Sequence, residues 1–69
     1  MARQLDWNAT QARAREMTVP ELHYAMLDCH KAAEAAWQLE KAGNRVDKTQ
    51  GYYHDEASVY WSEMQRRSA

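Results

Sequence analysis

At 69 residues and 8.1 kDa the chain has room for one domain, and a domain this short buries only about 60% of the surface its unfolded form exposes. A lone cysteine, Cys29, excludes an intrachain disulfide, so a small core must be supplemented by tidy helix packing, self-association or a partner. A net charge of −1 excludes a polybasic nucleic-acid binder and a strongly acidic nucleic-acid mimic, and no apolar run approaches the roughly 20 residues of a membrane span.

The charge is unevenly placed. Arg3, Arg13 and Arg15 face only Asp6 in the first fifteen residues, whereas Glu16, Glu21, Asp28, Glu34 and Glu40 face Lys31 alone in residues 16–40. The aromatic inventory is three Trp and four Tyr with no Phe. These side chains join a large apolar area to a polar handle and suit half-buried contacts. With Arg, they also dominate binding hot spots.

With two Gly and one Pro, helix is the default along the whole chain, and the expected class is all-α. In the N-terminal arm, residues 1–17, Asn8 followed by Gln11 reads as a cap for two or three turns from Ala9 to Met17. Met17-Thr-Val-Pro-Glu also reads as a natural start, which makes residues 1–16 an expected detachable arm. No apolar stretch of a secretory signal precedes it, and the unpaired cysteine points to a reducing cytoplasm.

The best-marked element spans residues 18–42. Thr18 and Glu21 form a capping box, and Pro20 falls in the first turn. Lys41 suits the last turn, and Gly43 or Asn44 supplies a left-handed stop. Val19, Leu22, Met26, Cys29, Ala33, Ala36 and Trp37 recur at steps of three and four and form the expected core stripe. Tyr24, Ala32, Ala35 and Leu39 form a thinner second stripe, which asks for a second neighbour.

The C-terminal helix is expected over 47–67, with Val46 extending its stripe backwards. Tyr53, Ala57, Tyr60, Trp61 and Met64 share one face; Tyr52, Glu56, Val59 and Glu63 share the other. Two strong helices on a short connection pack antiparallel. The expected fold is thus a helical hairpin with a short N-terminal helix, completed to a bundle by self-association, a dimer being favoured.

No spacing here names a reaction. His23 and His30 stand two turns apart with Glu34 one turn on, too far apart to chelate one ion from a single straight helix. Only a symmetry mate would complete a His30–Glu34 pair, and no metal or cofactor is expected. Cys29 and His30 project about 100° apart and cannot form a dyad. Cys29 lies on the apolar stripe, where a thiol behaves as a small hydrophobe. The expectation is a non-enzymatic protein.

A helix–turn–helix reading over Arg13–His23 opens its second helix on an acidic sequence, the wrong face for phosphates. Nucleic-acid binding through Arg13, Arg15, Arg66 and Arg67 is therefore the alternative, beside a purely structural oligomer. The residues expected to meet a protein partner are Tyr52 and Trp61, the closing Arg66 and Arg67, and Tyr24, Arg13 and Arg15.

The Pro-Glu-Leu-His-Tyr-Ala entry to the long helix, the Gly-Tyr-Tyr-His-Asp-Glu-Ala segment and the Arg-Arg finish resemble small helical proteins of bacteriophage and prophage genomes. The resemblance covers residues 17–67. It implies a small stoichiometric binder acting in the cytoplasm of a bacterial host, in the manner of anti-CRISPR proteins that occlude a component of host defence.

Overall fold

The computed structural model describes residues 2–68 and places them in three helices: α1 (Trp7–Arg15), α2 (Val19–Lys41) and α3 (Gln50–Ser68). α2 and α3 form the antiparallel hairpin, and α1 lies along α3. The chain is all-α. α1 runs in the same direction as α3: the Arg3 amide donates to the Asp47 carbonyl at one end, and the Arg67 guanidinium donates to the Ala14 and Arg15 carbonyls at the other.

The boundaries follow from caps. Thr18 and Glu21 make the expected reciprocal box, with Thr18 N to Glu21 Oε1 at 2.8 Å and Glu21 N to Thr18 Oγ1 at 3.3 Å. α2 ends in a Schellman motif: Gly43 takes φ +88°, its amide reaches the Glu40 carbonyl, and the Asn44 amide reaches that of Leu39. Gly43, rather than Asn44, is the left-handed residue.

Two expected starts move. α1 is capped by Asp6, whose carboxylate accepts from the Ala9 amide at 3.0 Å, and not by Asn8, which lies inside the helix. Leu5, buried against the core, anchors the chain just before that cap. α3 starts at Gln50 rather than at 47. Thr49 Oγ1 accepts from the Tyr52 amide, and Glu40 of α2 accepts from the Gln50 amide. Glu40, disfavoured at the C-terminal end of its own helix, is thereby placed at the positive end of the next.

The core is thin and made of small side chains. Leu5, Ala14, Leu22, Cys29, Ala33, Ala36, Ala57, Val59 and Tyr60 are buried, and Leu22 is the one large side chain fully sealed among the described residues. The molecule measures 42 × 20 × 15 Å. Its accessible surface of 5053 Å² exceeds the roughly 4,500 Å² expected of a globular chain of this mass. This flat shape leaves large apolar groups outside.

Three expectations about faces are corrected. Val19 and Trp37, assigned to the core stripe, are 50% and 38% exposed, because α2 has one close intrachain neighbour and buries only the narrow arc about Leu22, Cys29 and Ala36. Trp61, which shares a face with Tyr53, Tyr60 and Met64 and was expected to meet a partner, is 53% exposed. Val59 and Glu63, assigned to the reverse face, are buried, because α1 covers that side. Tyr52 likewise packs against the core and meets Tyr53 edge-on at 5.6 Å. Residues 1–16 were expected to detach; of these, 2–16 form α1 and its lead-in, docked on α3 with Leu5, Thr10 and Ala14 buried.

Candidate interaction surface

Two polar clusters join α1 to α3, and both consume arginines that the sequence offers as free. At the centre, Arg13 Nη2 donates to the Tyr60 hydroxyl at 2.8 Å, which donates to Glu56 Oε2 at 2.6 Å; Arg13 and Glu56 are 3.6 Å apart. Cys29 of α2 lies beside Glu56. Burial first, then the Glu56 charge and hydrogen bond, push its thiol up to about 12. Burial first and Glu56 second push the Tyr60 phenol up to about 12 as well. A nucleophile needs its ionisation eased; here both groups are moved away from reactivity. The cluster is a fastener between helices.

At the C-terminal end, Glu63 is buried under two guanidiniums. Arg66 and Arg67 both donate to it, Arg67 Nε at 2.8 Å. Their hydrogen bonds, Arg66 first, hold its carboxyl down at about 2. Arg67 also donates at 3.1 Å to the last carbonyls of α1, where a positive charge opposes the helix dipole. Arg67 is thus a brace, and Arg13 a fastener.

One open trough lies on the side of α3 away from α2. Trp7, Gln11 and Arg15 descend α1 at four-residue steps; Ser58, Ser62 and Arg66 descend α3 at the same spacing. Because the helices run in one direction, the two rows stand side by side and wall a trough of about 220 Å³ with Ala14, Val59 and Glu63 at its base. Trp7, 45% exposed, offers apolar surface. Arg15 and Arg66 stand at the other end of the rows, with the Glu63 charge below answered by both Arg66 and Arg67. The volume falls below the roughly 300–1,000 Å³ of small-ligand pockets and suits one or two side chains of a partner.

The expected contact residues therefore divide. Arg15 and Arg66 come together in the trough. Tyr24, 66% exposed, stands on α2 edge-on to His23, and Trp61 stands on α3; neither reaches the trough. Tyr52 is held between Tyr53 and the Lys48 ammonium, 5.2 Å from its ring. Trp7 was not among the expected residues; its signal in the sequence is the four-residue row it shares with Gln11 and Arg15.

Among the described residues no group of three or more His, Cys, Asp or Glu side chains is placed to hold a metal, and no helix is long and apolar enough to cross a membrane. Comparison with protein-family models, with curated proteins and with solved structures gives no match to this chain.

Proposed function

We propose that this chain is a non-enzymatic protein-binding module whose trough between α1 and α3 receives an acidic, partly apolar segment of another protein. The observation that carries this reading is the pairing of an exposed indole, Trp7, with two guanidiniums, Arg15 and Arg66, on rows that rigid helices hold in register. Aromatic and Arg side chains together are the usual anchors of protein interfaces. The resemblance to phage proteins makes a bacterial defence component the partner class to test first, with occlusion as the mode of action.

Nucleic-acid binding is less well supported. Of its four arginines, Arg13 and Arg67 already engage Tyr60, Glu56, Glu63 and backbone carbonyls, which leaves Arg15 and Arg66 as a small basic surface on a chain of net charge −1.

The test is capture from a nuclease-treated bacterial lysate on the immobilised chain and on its Trp7→Ala/Arg15→Ala variant, both first shown to be equally helical by circular dichroism. The expected result is a stoichiometric protein held by the original chain and lost by the variant. Equal retention by both would remove the trough from the argument. A partner that disappears with nuclease, with binding that falls steeply in salt, would favour nucleic acid instead.

A further inference from the structure

The trough has a direction, and its walls and charges specify what kind of segment it takes. Both walls are helices whose backbone amides and carbonyls are spent on their own ladders. An extended segment lying there would find only the Gln11, Ser58 and Ser62 side chains to pair with its main chain. A helix satisfies its own backbone. The rows Trp7–Gln11–Arg15 and Ser58–Ser62–Arg66 are four-residue ridges, and two such ridges side by side leave a groove for a ridge of a third helix.

Charge decides which way that helix runs. Arg15 closes α1 and Arg66 lies in the last turn of α3, so both guanidiniums stand at one end of the trough. Glu63 is already shared between Arg66 and Arg67, and among the described residues Arg15 forms no salt bridge. Glu16, next to Arg15 in sequence, does not line the trough. That end is therefore in excess of positive charge. The other end offers the Trp7 indole, with the carboxylates of Asp6 and Asp55 beyond it rather than in it.

We propose that the occupant is an amphipathic α-helix of another protein lying antiparallel to α1 and α3. Its first turn places an Asp or Glu between Arg15 and Arg66, and a large apolar side chain two turns later packs on Trp7. This deepens the protein-binding function and rests on it. Acidic side chains are favoured in the first turn of a helix, and the antiparallel course sets its dipole against those of both walls. Trp7 and Arg15 are about 12 Å apart along α1, so the acid precedes the apolar residue by seven or eight positions. Those two side chains fill a trough of about 220 Å³, and the position between them, over Gln11 and Ser62, is small.

Selection from displayed random peptides of about 20 residues, long enough to hold a helix, tests this on the immobilised chain. The expected enrichment is an Asp or Glu followed seven or eight residues later by Leu, Met or an aromatic, with Ala, Ser or Gly between. Binding should fall at least about tenfold on Trp7→Ala. Arg15→Glu, at an exposed site and shown to be equally helical, should abolish the preference for acid at the first position. An extended segment covers the same 12 Å in about four residues, so an acid four positions before the apolar side chain would overturn the helix. The reverse order, apolar before acid, would overturn its direction. Either result leaves the trough as a binding site. Enrichment indifferent to Trp7→Ala, or none at all, would overturn this proposal and the function it rests on together.

Discussion

α3 is held from two sides by different physics. Against α2 it packs through Leu22, Cys29, Ala36, Ala57 and Tyr60, an apolar joint with alanines at close approach. Against α1 it buries Ala14, Thr10 and Val59, but the joint is secured by the Arg13–Tyr60–Glu56 and Glu63–Arg66–Arg67 clusters. A nine-residue helix with one alanine and one threonine buried cannot dock by apolar area alone, so hydrogen bonds to charged groups secure it. The hairpin joint should therefore answer to cavity formation, and the α1 joint to charge.

The largest expected effect separates the two. Leu22→Ala removes the one sealed large side chain, costs about 2–5 kcal/mol and melts the whole chain in a urea titration followed by circular dichroism. If only α1 frays, the hairpin is not the seat of stability.

Acid comes next and acts on α1. The Glu63 carboxyl sits at about 2 in the folded chain, through Arg66 first and Arg67 second, against about 4.3 for an unfolded Glu. Because the folded form binds this proton less readily, the contribution is complete above about 4.3 and is lost as pH falls towards 2. Amide exchange measured across that window should quicken in α1 before the centre of α2. Simultaneous loss would mean the joints are not separable.

Arg67→Ala should have a milder effect, about 1–2 kcal/mol, since Arg66 still answers Glu63 while the last carbonyls of α1 lose their donor. Limited trypsin digestion should then cut at Arg13 or Arg15 sooner, with the hairpin intact; unchanged cutting would mean Arg67 braces nothing. Asp6→Ala, at an exposed cap, is the smallest change, about 1 kcal/mol, confined in hydrogen exchange to the first turn of α1.

The same contrast explains how much was legible in the sequence. α2 was readable at both ends, because Thr18, Pro20, Glu21 and Gly43 act through their own backbone neighbourhood. The hairpin followed from two long periodic segments on a short connection. The α1 joint was not readable. Its buried partners are Thr10 and Ala14, too small to announce a face, and what they cover, Val59 and Glu63, reads as the solvent side of a helix with a single neighbour.

Tertiary contact also chose Asp6 over Asn8, two good caps two residues apart, through the burial of Leu5. Val19 and Trp37 were misplaced for a geometric reason: steps of three and four hold across a wide arc, while one packed neighbour buries only part of it. Of the candidate surface, Arg15 and Arg66 were legible as uncommitted-looking charges. The roles of Arg13 and Arg67 depended on Tyr60 and on carbonyls more than forty residues away in sequence.

The one aromatic ring deep inside is a tyrosine, while Trp7, Trp37 and Trp61 all stand at the surface, each on a different helix. Indole emission in the folded chain should therefore resemble that of water-exposed tryptophan and change little on unfolding. A blue shift would instead report something settling onto the molecule: quenching protection at Trp7 marks the trough, and at Trp37 and Trp61 the exposed faces of α2 and α3. The protein carries its own optical probes of association, one on each helix.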